Sequence, residues 1–295
     1  MGTCIAIEQH HAQGMRIHEM LIRIGFDLTF AVPAPTAMVL MLRVHPSREP
    51  SLCAPEELRV EPDVALDEFT DGFGNRCTRI LAPAGRLRLH NAAVVTDDGA
   101  RDAARPYAQQ RPVAALPPKT LPFLLASRYC EVDRLQGAAW ELFGASPPGW
   151  ARVQAVVDWC HSHIEFGYAH ARSTKTAYEV FVELTGVCRD FTHLAITFCR
   201  CLNIPARYAT GYLGDIGVPP LPDPMDFSAW FEVYLDDQWW TFDARHNQRR
   251  IGRVLMARGR DAVDVALTTS FGPTTLERFL VVTDEVHSDD GAAHR

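Results

Sequence analysis

The pattern of apolar residues changes in kind near the middle of the chain, and that change constrains the fold more than any single motif. Over 21–30, 38–45, 76–81 and 86–95, β-branched, aromatic and other apolar residues recur in short runs, roughly alternating with polar ones in the last two. Turn formers bound these runs, as in Pro33-Ala-Pro35 and Thr70-Asp-Gly-Phe-Gly-Asn75. Short strands punctuated by turns predict a sandwich-like antiparallel module. Beyond it, 135–143, 150–163 and 188–203 read as helices, and 176–185 as a short helix closed by Gly186. A strand over 204–213 follows, then strands 228–235 and 238–244 joined by a tight Asp236-Asp237 turn. Helices first and antiparallel strands second define an α+β domain. The expected organisation is therefore a β-rich N-terminal domain over 20–96, a linker over 97–120 and a second domain over 121–283. The linker rests on Asp97-Asp-Gly99 and on Pro106, Pro112, Pro117 and Pro118. Residues 1–19 are expected as an unstructured leader and 284–295 as a frayed tail.

Composition narrows the function classes. A length of 295 residues accommodates two domains, and 47% hydrophobic with 22% charged residues is ordinary for a chain with a sizeable core. The net charge of −7 supplies no global basic field for nucleic acid or an anionic membrane. No run approaches the roughly 20 apolar residues that cross a bilayer. The opening residues lack the basic and apolar regions of a signal peptide, and Met15 or Met20 could equally be the start. Eight cysteines (4, 53, 77, 130, 160, 188, 199 and 201) follow no regular framework, which predicts reduced thiols and a cytoplasmic setting.

One of those cysteines falls where a helix begins. Cys188 follows Gly186-Val187 and shares a helical stripe with Phe191, Ala195, Phe198 and Leu202. A thiol at a helix N-terminus meets the positive end of the backbone dipole, which predicts a lowered pKa, and Arg189 adds positive charge that Asp190 partly opposes. The alternative is a small buried core thiol. A nucleophilic thiol needs a base and the base an orienter. His193 lies five places along the helix, rotated by about 140° from Cys188, and reads as structural. The hairpin supplies Asp243, at the end of an aromatic strand, and His246 three places on. Asp243 is either a surface turn residue or the orienter of an imidazole. Cys160-His161-Ser162-His163 with Cys199 and Cys201 is dense in metal-ligand types, but Cys199 and Cys201 point about 200° apart on one helix. No C-x-x-C pair occurs, and neither a metal nor a cofactor is expected. A P-loop, a dinucleotide fingerprint and G-x-S-x-G are absent.

Thr185-Gly-Val-Cys-Arg-Asp-Phe-Thr-His-Leu-Ala-Ile196, Asn203-Ile-Pro-Ala-Arg-Tyr-Ala-Thr-Gly-Tyr-Leu213, Ala229-Trp-Phe-Glu-Val-Tyr-Leu235 and Trp240-Thr-Phe-Asp243 resemble the microbial transglutaminase-like family over about 125–250. The β-rich first part resembles the N-terminal domain that often precedes this module in bacterial members. The resemblance implies a papain-like fold with helices packed on an antiparallel sheet, and amide chemistry (hydrolysis or acyl transfer) on a protein or peptide through a thioester. It matches Cys188 to the nucleophile and Asp243 to the orienting acid. The family's His-Ala-Trp is here Ser228-Ala229-Trp230, so Ser228 stands where the base belongs. A hydroxyl cannot serve as general base near neutral pH. His246 is the preferred substitute and His170 the second, with a thiolate held by the helix dipole and Arg189 as a third route. A pocket shaped by 214–224 with Tyr212, Trp230, Trp239 and Trp240 is expected, although such aromatics commonly fill cores. The alternative to an enzyme is a non-catalytic module of the same fold that binds peptides or acts as a scaffold.

Overall fold

The computed structural model describes residues 20–220 and 224–286. The leader over 1–19 and all but the first residues of the expected tail lie outside them. The first half forms strands β1 (Met20–Val32), β2 (Thr36–Leu40), β3 (Arg59–Glu61), β4 (Asp67–Thr70), β5 (Arg76–Ala82) and β6 (Gly85–Asp97). The second half forms helices α1 (Val132–Phe143) and α2 (Trp150–His163), strand β7 (Glu165–Phe166), helix α3 (Ala177–Glu183), strand β8 (Thr185–Gly186) and helix α4 (Cys188–Cys201). Strands β9 (Ala206–Tyr212), β10 (Ser228–Leu235), β11 (Gln238–Phe242), β12 (Val254–Gly259), β13 (Thr268–Ser270) and β14 (Thr275–Glu285) complete it. No described helix is long and apolar enough to cross a membrane.

The sandwich is built from two four-stranded antiparallel sheets, ordered β14-β1-β6-β3 and β13-β2-β5-β4. Ile22, Ile24, Phe26 and Leu28 of β1 alternate into the core, meeting Met38 and Leu40 of β2, Ile80 of β5 and Leu89 of β6. Period-two alternation accounts for this burial. The expected second domain, 121–283, takes in two C-terminal strands, β13 and most of β14, that were not read from the sequence. They join the sandwich instead: β14 runs antiparallel to β1 from Ile22↔Glu285 to Ala31↔Thr275, and β13 pairs with β2. Pairing of this kind, 228 or more places apart in sequence, leaves no local signal.

The second core lies between helices and the sheet β11-β10-β9-β12. Helix α4 is its centre, with Phe191, Leu194, Ala195 and Phe198 buried against α1, α2 and the sheet. At the β10–β11 turn both Asp236 and Asp237 have positive φ, the primed-turn geometry that suits the twist of a two-residue hairpin. The segment 97–120, expected as a linker, is bound along the second half. Asp102 accepts from Arg250 N and Arg253 Nε at 2.9 Å each, and Trp150 N donates to Ala108 O at 2.9 Å. Tyr212, Ile216, Phe227, Val254 and Met256 extend the sandwich core from the other side. Two cores therefore share one continuous wall.

Candidate active site

Helix α4 starts at Cys188 because the residues before it cannot continue α3. Leu184 adopts a left-handed φ of 53° at the end of α3, and Val187 N–H is taken by Asp190 Oδ2 at 3.0 Å. That return contact explains Gly186: a Cβ there would stand 2.6 Å from Asp190 Cβ. Asp190 is fully buried, and its other oxygen binds Arg189 Nε and Nη2 at 3.1 and 2.9 Å. Arg189 is thus engaged by the helix's own acid. The positive charge felt at the thiol comes from Arg245 instead.

The thiol pKa moves opposite to the sequence expectation. Burial pushes Cys188 up to about 11, and Asp226 and Asp243 push the same way. Arg245 and the Ala229 backbone N–H pull it back only in part. Desolvation of the charged form outweighs these compensations. At neutral pH the thiol form therefore predominates.

The turn after β11 gathers the other groups. Asp243 is buried, and its Oδ1 accepts the N–H groups of Arg245 and His246 at 3.1 and 3.0 Å. Its Oδ2 accepts from His246 Nδ1 and from Arg253 Nη2, both at 2.9 Å. Burial opposes its ionised form, but Arg253, His246 and the backbone donors together hold Asp243 well below the ordinary carboxylate range. Arg253 in turn is held by Asp102 and lies over the Trp230 ring at 4.9 Å. Asp102, Arg253, Asp243 and His246 therefore form one chain of contacts that fixes the imidazole through Nδ1 and leaves Nε2 as its outward nitrogen.

Cys188, Ser228, His246, Asp226, Arg245 and Arg250 line one small cavity of about 40 Å³. Thus the geometry brings together Cys188, Ser228 and His246, with Asp243 directly behind His246. Ser228 sits on β10 opposite Gly211, buried beside the sulfur's cavity. His170 lines neither cavity that contains Cys188. His193 is fully buried between Tyr129 and Tyr208, takes the Ala262 N–H on Nε2 at 3.1 Å, and is kept neutral by burial. It is structural, as its rotation along the helix predicts. Leu213, Asp215 and Pro224 line the small cavity, whereas Tyr212, Trp230 and Trp240 are core residues and Trp239 packs against Arg207.

The metal-ligand types scatter. Cys160 is core, His163 stacks on Trp159 at 4.4 Å, and His161 Nδ1 contacts Arg245 O at 2.7 Å. Among the described residues no three His, Cys, Asp or Glu side chains gather at metal distance. Asp102, Arg253, Arg245 and Asp226 were not singled out in the sequence. Arg245 and Asp226 flank residues that were, so proximity was an available signal. Nothing local points to Asp102 or Arg253, which act across about 150 residues of chain.

Residues 139–244 match the family model described as the transglutaminase-like superfamily. The fold is similar to a crystal structure of a proposed cysteine protease from Cytophaga hutchinsonii, at 32% identity and a TM-score of 0.79, covering 92% of each chain. A Mycobacterium bovis protein is 28% identical over 239 residues, 72% of this chain and 74% of that one. A Mycobacterium leprae protein is 27% identical over 118 residues, which span 39% of this chain and 42% of that protein's length. The chain belongs to the transglutaminase-like superfamily. The family match stops at Ala244, two residues short of His246.

Proposed function

We propose that the chain is a cysteine-dependent amide hydrolase or acyltransferase acting on a protein or peptide, with Cys188 as nucleophile, His246 as base and Asp243 as orienter. One observation carries this: His246, anchored to Asp243 at 2.9 Å through Nδ1, lines the same cavity as Cys188. The description of the Cytophaga hutchinsonii relative as a proposed cysteine protease supports it. Because burial holds Cys188 as the neutral thiol, His246 Nε2 takes the Sγ proton as the sulfur attacks, rather than resting in a preformed ion pair. The C–S bond forms, the proton passes to the departing nitrogen as C–N breaks, and water or an amine then releases the acyl group. Ser228 is a neutral wall of this site. The seven described cysteines are free thiols, which supports a reducing, cytoplasmic setting.

The test is single-turnover mass spectrometry with an acyl thioester and with a peptide amide. Cys188 is expected to carry the acyl group, Cys188→Ala to abolish the adduct, and His246→Ala to slow its formation by about 10²–10⁴-fold with the fold intact. An adduct that forms equally fast in His246→Ala refutes the assignment of the base. Absence of any adduct in the native chain refutes the enzyme and favours a binding module.

A further inference from the structure

Cys188 stands where two unlike cavities meet. The small one holds His246. The other, about 510 Å³, has Tyr208, Ala229, Val265, Leu267 and Phe279 among its walls and no contribution from His246. The imidazole that takes the Sγ proton must hand it to the departing nitrogen, so the leaving group belongs on the His246 side. The acyl part is then left to the apolar groove. Resting on the hydrolase reading above, the contents of each cavity identify the scissile bond.

On the leaving side Arg245 is conspicuous. Its guanidinium makes no hydrogen bond or ion pair among the described residues. It is positioned by stacking over the Phe166 ring at 3.7 Å, and its charge reaches Cys188 and Asp226. Arg250, 2% exposed, has Nη2 on Gly214 O at 2.8 Å and faces Asp215 at 3.5 Å, while its buried Nε lacks a partner. Both arginines line the small cavity, as do Asp215 and Asp226. Charges of both signs in so small a space suit a group that itself carries both. A free amino acid is such a group: its nitrogen departs beside His246, and its carboxylate lies two bonds away. A guanidinium binds a carboxylate through two parallel N–H donors.

We propose that the chain cleaves the amide before a C-terminal residue, with an apolar residue of the peptide in the groove and the free α-carboxylate bound by Arg245. Cys188 Sγ bonds to the carbonyl carbon, the thiol proton travels through His246 to the amide nitrogen as the C–N bond breaks, and the amino acid leaves as a free amine that takes a second proton from solvent beside Asp226. Water hydrolyses the thioester and frees the shortened peptide. The small volume favours glycine or alanine as the departing residue.

The experiment compares benzyloxycarbonyl-Phe-Gly as free acid and as C-terminal amide, following release of glycine or glycinamide by the full chain. Acylation of Cys188 by benzyloxycarbonyl-Phe thioester is measured in parallel. The acid is expected to be preferred by about 10–100-fold in kcat/KM, the worth of one charge-assisted contact. Arg245→Met is expected to bring that ratio close to one, and Arg245→Lys to keep part of it. Equal cleavage of acid and amide by the native chain, or a ratio unmoved in Arg245→Met, overturns the carboxylate site while thioester acylation leaves the hydrolase reading standing. If the thioester fails to acylate Cys188, that reading falls and this one with it.

Discussion

Cys188 and Asp243 are both ionisable groups in the same site, both carry a burial penalty, and they end in opposite states. Asp243 receives two backbone N–H donors, one imidazole and one guanidinium, so its charge survives. Cys188 receives one backbone N–H and the charge of one guanidinium against burial and two carboxylates, so its charge does not. The compensating donors, rather than burial itself, decide which group is ionised. One end of the site is a fixed anion that aims an imidazole, and the other is a neutral thiol waiting for that imidazole.

The comparison breaks most sharply at Asp243. Asp243→Ala removes the shared partner of Arg253 and His246, and urea denaturation is expected to show a loss of about 3–5 kcal/mol, as when one member of a buried pair is deleted. A loss under 1 kcal/mol would mean that Asp102 alone satisfies Arg253. Next in size, Ser228→His placed in a His246→Ala background is expected to restore about ten-fold of the lost acylation rate, since an imidazole on β10 enters the same cavity. No recovery would show that Asp243 can serve only an imidazole from the turn.

Two smaller effects follow pH. The folded pKa of Asp243 lies below its unfolded value, so its contribution to stability is full above about pH 4 and declines as pH falls toward the folded value. Asp243→Asn is expected to flatten the stability profile between about pH 5 and 2, and an unchanged acid limb would contradict the depressed pKa. Finally, iodoacetamide labelling of Cys188 is expected to keep rising to about pH 11. A plateau near 8.5 would mean that the helix dipole outweighs burial.

Local features of this site were legible in the sequence and distant ones were not. The start of α4 at Cys188 could be read from Gly186 and the helical stripe, and Asp243 from the end of an aromatic strand. The hairpin turn was legible because consecutive aspartates tolerate left-handed backbone. The thiol's environment was not, because Asp226 and Arg245 reach it from the segment before β10 and the turn after β11 rather than from α4. Arg189, the near neighbour in sequence, proved to be occupied by Asp190. A proline-rich stretch such as 97–120 looks like a spacer by composition, and only the folded chain shows Asp102 gripping Arg253. Strands β13 and β14 carry no mark of the sheets they join.

The return of β14 to the side of β1 sets an order on the birth of the molecule. Phe279 of β14 and Leu267, just before β13, wall the groove beside Cys188, and Thr283 of β14 packs directly on Gly214. A nascent chain can therefore finish the helical core while the ribosome is still translating. It cannot close the sandwich or the thiol's surroundings until residue 285 has emerged from the exit tunnel. The groove beside Cys188 is thus complete only once the last described strand has been made.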